Sequence, residues 1–260
     1  MNGRTRTYKG IVSSDWSECL SPSGPFDPMV FTYPELESEL SSIFRRYTGN
    51  LISLTEATNT IKHLLPEPLT RDRMDAYLDA SFRTYTGVPD LIEWCLAHDI
   101  LFMINTTGMQ GYFQRALAKA LLPRVPVVAA NPMIHYSGGG EEVEFLPVTE
   151  IEDKPKNTRA AMQAWGVPPG KLVVIGDSGG DGPHFQWGAT ADGFLIGSMT
   201  KDSLERYCRK ADITIHERFG MQYGPGATRD VEHEMRFDFK QMIETIRNAL
   251  DLKAVGGAIR

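Results

Sequence analysis

The sequence predicts an α/β fold, a mostly parallel sheet with helices on both faces and a helical segment inserted after the first strand. Three observations carry that reading. Short apolar runs of strand length, bounded by turn residues, recur at Tyr8–Ser14, Ile100–Thr106, Val125–Ala130 and Leu172–Ile175. Segments of helical periodicity alternate with the later runs, the pattern of βα units. Between the first two runs, roughly sixty residues show helical spacing and no convincing strand.

Taken in order, Tyr8–Ser14 is the first strand, and Ser21-Pro22-Ser23-Gly24-Pro25 after it has linker composition. Pro34–Arg46 places Leu36, Leu40, Ile43 and Phe44 on one helical face. Ser53-Leu54-Thr55-Glu56 has the spacing of a capping box and opens a second helix to about Leu65. A third helix after Thr70 aligns Met74, Tyr77, Leu78 and Phe82, with Pro66 and Pro68 separating it from the second. The β/α alternation then begins with helix Pro89–His98, strand Ile100–Thr106, helix Met109–Leu122 and strand Val125–Ala130. Met133–Val148 alternates around Ser137-Gly138-Gly139-Gly140, which predicts a β-hairpin with its turn at the glycines. Helix Asn157–Trp165 precedes strand Leu172–Ile175, strand-like runs follow at Gly193–Ile196 and Ile213–His216, and Phe239–Leu250 is the last helix.

The 260 residues accommodate one large domain, or one domain with a smaller insert. With 42% hydrophobic and 23% charged residues the composition is that of a soluble globular protein. A net charge of -6 gives no electrostatic reason to expect nucleic acid or an anionic membrane as partner. Cys19, Cys95 and Cys208 lie far apart and form no CxxC pair, so a reducing compartment is expected rather than a disulfide framework or zinc ribbon. Met1–Gly10 lacks the apolar stretch of a signal peptide and no run has transmembrane length; the expectation is cytoplasmic.

Four short segments carry chemistry, each at a predicted strand end or helix start. The first strand stops at Asp15, in Ile11-Val12-Ser13-Ser14-Asp15-Trp16-Ser17, and the strand at Leu172 stops at Gly176-Asp177-Ser178-Gly179-Gly180-Asp181. Ligands of an open parallel sheet bind just beyond the carboxyl ends of its strands. Carboxylates brought together there repel one another, and an oxygen-ligated divalent cation such as Mg²⁺ relieves the repulsion. Asn105-Thr106-Thr107-Gly108 offers a hydroxyl and backbone N–H groups for a phosphoryl oxygen. Asp153-Lys154-Pro155-Lys156 offers a cation, from either lysine, to neutralise nucleophile and phosphate.

In order and setting, these segments resemble the haloacid dehalogenase superfamily of hydrolases, in its phosphoserine phosphatase-like branch. The resemblance covers nearly the whole chain and extends to Ala130-Asn131-Pro132-Met133 with the predicted hairpin flap. It implies a Rossmann-like catalytic core of residues 1–24 and 86–260, with a helical cap of residues 25–85 that closes over the strand ends. It implies Mg²⁺-dependent hydrolysis of a small phosphorylated metabolite, in which Asp15 attacks phosphorus and forms an aspartyl-phosphate. Thr106 would bind the phosphate beside Thr107 and Gly108, and Lys154 would be the motif-three base by its distance to Gly166. The metal would take Asp15, the backbone carbonyl of Ser17, and Asp177, with Asp181 as a direct, water-mediated or outer partner.

One position departs from the pattern. The family's motif one is usually Asp-x-Asp-x-Thr, and here it reads Asp15-Trp16-Ser17-Glu18-Cys19. The second aspartate of that motif protonates the leaving alcohol and later activates water, which Ser17 cannot do. General acid–base catalysis is worth roughly 10²- to 10⁴-fold, so alkyl phosphates should turn over slowly unless another group substitutes. Glu18 is adjacent but sits where the family has glycine. Two other readings follow. The motif-one stretch with Gly24, Phe26 and Pro28, together with Thr106-Thr107-Gly108, is also similar to phosphonoacetaldehyde hydrolase. In that enzyme a cap lysine forms a Schiff base, and Lys62 is the only lysine between Val30 and Tyr85. Alternatively, the chain binds a phosphorylated ligand without turnover. Other features have plainer explanations: Arg45, Arg46, Arg71, Arg73 and Arg83 as mostly solvated helix faces, Cys19 as a packed residue, His184 as a hydrogen-bonded helix-start residue, and Glu232-His233-Glu234 as a solvated alternation.

Overall fold

The computed structural model describes residues 7–48, 51–137 and 143–252. Its inner strands are the short apolar runs, buried on both sides, the character that a sheet covered by helices requires, while the two edge strands are only partly buried. They are β1 (Gly10–Ser14), β2 (Ile100–Met109), β3 (Val127–Asn131), β4 (Glu144–Pro147), β5 (Leu172–Gly176), β6 (Phe194–Lys201) and β7 (Glu217–Tyr223). They form one seven-stranded sheet in the order β4-β3-β2-β1-β5-β6-β7, with every adjacent pair parallel. In the central register Val12 pairs with Phe102 and Val173, and Ser14 with Ile104 and Ile175.

The helices, in chain order, are α1 (Asp27–Thr32), α2 (Glu37–Thr48), α3 (Leu54–Leu64), α4 (Arg71–Ser81), α5 (Val88–Ala97), α6 (Gln110–Ala118), α7 (Asp153–Ala164), α8 (Gly182–Thr190), α9 (Asp202–Lys210), α10 (Val231–Glu234) and α11 (Met242–Ala249). Side chains alternate between the two faces of the sheet, as a period of two requires. Val12, Phe102, Ile104, Val173 and Ile175 pack with α5, α6 and α11. Ile11, Leu101, Met103 and Val174 pack with α7, α8 and α9.

Five helices lie between β1 and β2; α2, α3 and α4 are the three that the periodicity of the insert predicts, and α1 has no counterpart among them. Ser53 caps α3, its hydroxyl accepting from the Glu56 N–H at 3.1 Å, and Thr70 caps α4 by accepting from Arg73 N–H at 3.3 Å. The ends of this insert are held together: the Tyr85 N–H donates to the Leu20 carbonyl at 3.1 Å and the Ser21 hydroxyl to the Arg83 carbonyl at 2.7 Å. Leu40, Ile43, Ile61, Met74 and Tyr77 continue the hydrophobic core on the α5–α6 face.

Two strand expectations are corrected. The predicted hairpin over Met133–Val148 does not form among the described residues: Glu144–Pro147 is instead an edge strand parallel to β3, and Gly138–Gly140 lie outside the described residues. The alternation there reflects one half-buried edge strand, not two paired ones. The run Ile213–His216 is not a strand either. Ile215 is buried against α8 and α9, which explains the apolar signal, while the ladder with β6 begins at Glu217.

Candidate active site

Leaving β1 at the centre of the sheet, the chain builds β2, β3 and β4 on one side, then returns to place β5, β6 and β7 on the other. The switch between β1 and β5 opens a crevice beyond their carboxyl ends, where ligands of such sheets bind. Asp15 follows β1 directly, and its N–H donates to the Ile175 carbonyl of β5 at 2.9 Å. Asp177 follows β5. A 3₁₀ turn at Gly179–Asp181 then folds Asp181 back, so that its Oδ2 accepts from the N–H groups of Asp177 at 3.0 Å and Ser178 at 3.3 Å. That approach requires glycine at 176, where a Cβ would lie 2.5 Å from the Asp181 carboxyl carbon.

Lys154, on the first turn of α7, is 1% exposed. Its ammonium sits 2.6 Å from Asp181 Oδ1 and 3.3 Å from Asp15 Oδ2. The Asn105 amide donates to the Lys154 carbonyl at 2.9 Å and to the Thr158 hydroxyl at 2.9 Å, fixing α7 against β2. Asp15 Oδ1 accepts from the Trp16 N–H at 2.7 Å, and the Thr106 hydroxyl stands beside the same carboxylate and helps to hold it ionised. Residues 15, 106, 154, 177 and 181 therefore converge. Asp15, Lys154 and Asp177 line a cavity of about 40 Å³ together with Ser17, Thr107 and Lys201, with Thr106 and Asp181 behind them and Phe44 and Tyr47 of α2 closing it from the insert. Gly108 packs beside Thr106 and Ser17.

The structure separates residues that sequence left together. Lys156 is exposed and paired with Asp153 at 2.9 Å, so Lys154 alone enters the site. Lys62 is exposed on α3 and does not line the cavity. Arg45, Arg46, Arg71, Arg73 and Arg83 do not line it either. His184 is fully buried one layer below, sharing a 3.0 Å hydrogen bond with Thr158, and burial, with the Lys154 charge, pushes it down to about 3, so it is neutral. Within Glu232-His233-Glu234, Glu234 is not solvated: it is buried and bound to Arg229.

Lys201, Arg229 and Glu234 were not among the expected site residues. Lys201 ends β6 and places its ammonium 2.6 Å from Asp177 Oδ2. The strand-end rule that picks out Asp15 would also have found it, had β6 not been drawn to stop at Ile196. Glu18 has φ 59°, in the left-handed region that favours glycine. Its carboxylate contacts Lys201 and, at 2.8 Å, Arg229. Burial alone would raise the Glu18 carboxyl, but these two cations hold it below the usual carboxylate range. Arg229 in turn meets Glu234 at 2.5 Å, and the hydroxyls of Tyr85 and Tyr223 donate to that carboxylate. Nothing in the sequence around Arg229 signals this role.

Burial and neighbouring charge set the remaining protonation states. Burial lowers the affinity of Lys154 for its proton, but Asp15 and Asp181 outweigh it and keep the ammonium charged. Asp181 feels the same burial, offset by Lys154, and is held below the usual range. Asp15 is raised, burial exceeding the help from Lys154. Asp177 is pushed up to about 8, by burial first and by crowding from Asp181 and Asp15 against the opposing Lys201.

Two ion-pair groups, joined by the Asp177 N–H to Asp181 bond, hold five carboxylates (Asp15, Glu18, Asp177, Asp181 and Glu234) against three cations (Lys154, Lys201 and Arg229), a formal excess of two negative charges that the raised Asp15 and Asp177 carboxyls relieve by holding protons when no cation is bound. Carboxylate oxygens of Asp15, Asp177 and Asp181 lie within 4.8 Å of one another, and Asp177 Oδ1 is buried without a hydrogen-bond partner. Excess charge of two, all-oxygen donors and an orphaned carboxylate oxygen fit a hard divalent cation. Both Asp181 oxygens are already engaged, so it orients Lys154 and the loop more than it offers a free ligand atom.

No protein-family model matches the chain, and no curated protein matches it. Solved structures do. A phosphoserine phosphatase captured as a phospho-aspartyl intermediate analogue matches at 14% identity and TM-score 0.62, over 92% of this chain and 99% of its own. A substrate-bound phosphoserine phosphatase matches at 12% identity and TM-score 0.62, over 94% of this chain and 99% of its own. A haloacid dehalogenase family hydrolase from Salmonella enterica subsp. enterica serovar Typhi matches at 14% identity and TM-score 0.64, over 95% of this chain and 74% of its own. At these identities the likeness establishes the fold: the chain has the haloacid dehalogenase fold.

Proposed function

We propose that the protein is a phosphatase of the haloacid dehalogenase superfamily, hydrolysing a small phosphorylated metabolite with Mg²⁺ through an aspartyl-phosphate at Asp15. The observation that supports this reading is the buried cluster of Asp15, Asp177 and Asp181 at the switch point, with Asp177 Oδ1 unpartnered beside Asp15. Asp15 is the nucleophile, oriented through Oδ1 by the Trp16 N–H. The Thr106 hydroxyl and the backbone N–H groups at Thr107 and Gly108 receive phosphoryl oxygens. Lys154 neutralises charge on both the nucleophile and the transferring group, the contribution that dominates phosphoryl transfer.

Mg²⁺ would be held by Asp15, Asp177 and the Ser17 backbone carbonyl, with Asp181 behind them, and supplies charge neutralisation to the phosphoryl group when bound. Residues 25–85 act as the cap. The cavity they close, about 40 Å³, holds little more than a water or two, so substrate entry requires the cap to move. Buried, unpaired Cys19, Cys95 and Cys208 support a cytoplasmic setting.

The test is hydrolysis of an aryl phosphate with a good leaving group. Turnover that requires Mg²⁺ and disappears in Asp15→Asn is expected. Turnover unchanged by chelation, or retained in Asp15→Asn, would refute the proposal.

A further inference from the structure

We propose that the Tyr47 hydroxyl, brought to the site by α2 of the insert, is the proton donor to the leaving oxygen; this rests on the phosphatase reading above. Tyr47 lines the cavity together with Asp15 and Lys154. Its ring packs against the hydrophobic core on both sides of the site, so the hydroxyl is held in place. That oxygen is buried beside Thr107, with no hydrogen bond of ordinary geometry to any described residue. It also overhangs the loop that carries Asp177 and Asp181, since a Cβ on Gly180 would stand 3.8 Å from it. A buried hydroxyl left without a partner is costly unless a ligand completes it.

The other ionisable groups lining the cavity are committed. Glu18 is clamped by Lys201 and Arg229 and has no proton to give. Asp177 faces the cation site, Lys154 bridges Asp15 and Asp181, and Lys201 is held between Glu18 and Asp177. Ser17, Thr48, Thr107 and Ser178 bring only aliphatic hydroxyls, far weaker acids than a phenol. Burial pushes Tyr47 up to about 12, against the neighbouring Lys154, so the phenol is protonated at neutral pH and still more acidic than an alcohol.

Bonds and protons balance over two steps. An Asp15 carboxylate oxygen bonds to phosphorus while the bond from phosphorus to the leaving oxygen breaks. The electron pair of that bond stays on the leaving oxygen, which takes the Tyr47 proton and departs as an alcohol. In the second step the Tyr47 phenolate takes a proton from water as the water oxygen bonds to phosphorus. The Asp15 oxygen–phosphorus bond breaks, inorganic phosphate leaves, and carboxylate and phenol are restored.

The experiment compares wild type and Tyr47→Phe, with Mg²⁺, on 4-nitrophenyl phosphate and on a series of alkyl phosphates. The substitution removes one oxygen that makes no hydrogen bond of ordinary geometry, and the ring stays in the core. For alkyl phosphates kcat/KM should fall by about 10²-fold or more, while for 4-nitrophenyl phosphate, which needs no protonation on leaving, it should change less than about threefold. Equal losses on both substrates would make Tyr47 a phosphate-binding or structural residue and overturn the proposal, as would no loss on either. Wild type that cleaves the aryl ester but no alkyl ester overturns the donor and leaves the phosphatase standing; wild type inactive on both overturns the two together. As a check independent of any variant, wild type should show a solvent deuterium isotope effect on alkyl but not aryl ester cleavage, and equal effects would count against Tyr47.

Discussion

Glu18 shows how a single side chain redirects a site. A residue next to the position of a missing acid would pass, in sequence, for its replacement; left-handed backbone and two cations instead turn it into part of the scaffold. Lys154 has the reverse character, a lysine whose burial is tolerated only because two carboxylates hold it. Lys154→Met should abolish turnover and destabilise the protein by about 3–5 kcal/mol, since it strands buried Asp15 and Asp181 without their cation. Thermal unfolding measures the second effect and phosphate release the first. Asp177 predicts a pH dependence. Its carboxyl is pushed up to about 8, above its unfolded value, so its contribution is complete below that unfolded value and is lost as pH rises toward 8. Asp181 and Glu18 are lowered and act oppositely, but their contributions are lost only as pH falls below the ordinary carboxylate range. Metal-free protein should therefore lose stability between pH 5 and about 8, with Mg²⁺ reversing the loss. Unfolding midpoints that rise over that window without metal would count against it.

Among the elements, those with local chemical signals were legible before the structure. Ser53 and Thr70 cap the helices their sequences announce, and the apolar runs at β1, β2, β3 and β5 fall within a few residues of their predicted limits. Strands defined by their neighbours were not legible. β4 is a half-buried edge strand of four residues, and β7 is paired through a register irregularity with β6, so neither repeats a clean pattern. In the site, Asp15, Lys154, Asp177 and Asp181 were readable because each sits at a strand end or helix start, and Thr106 because the apolar run of β2 stops there although the strand continues to Met109. Arg229 and Tyr47 were not, because long-range packing alone brings them in. One contact between insert and sheet also has no sequence signature. Glu150 accepts from the N–H groups of Leu54 at 3.0 Å and Thr55 at 3.1 Å, joining the N-terminus of α3 to the loop before α7. Glu150→Ala should cost about 1 kcal/mol and speed amide exchange at Leu54 and Thr55 specifically. Exchange there no faster than in wild type would show that this carboxylate does not hold the insert down.

At the scale of the molecule, the fold gathers charge from distant segments into one connected network. The sheet brings Asp15, Asp177 and Lys201 to neighbouring strand ends, α7 adds Lys154, and the segment after β7 adds Arg229 and Glu234. On the proposed function, the formal excess of carboxylates would make a divalent cation part of the folded state. Mg²⁺ at a hundred times its dissociation constant should stabilise the protein by about 2.7 kcal/mol, and Asp177→Asn should remove most of that gain. The central claim is that phosphorus passes through Asp15. Acid-quenching the enzyme during Mg²⁺-dependent turnover of an aryl phosphate, followed by peptide mass mapping, tests it most directly. One phosphoryl group on Asp15, absent from Asp15→Asn, is the predicted result; phosphate released in steady turnover with Asp15 unmodified and its asparagine variant still active would contradict it.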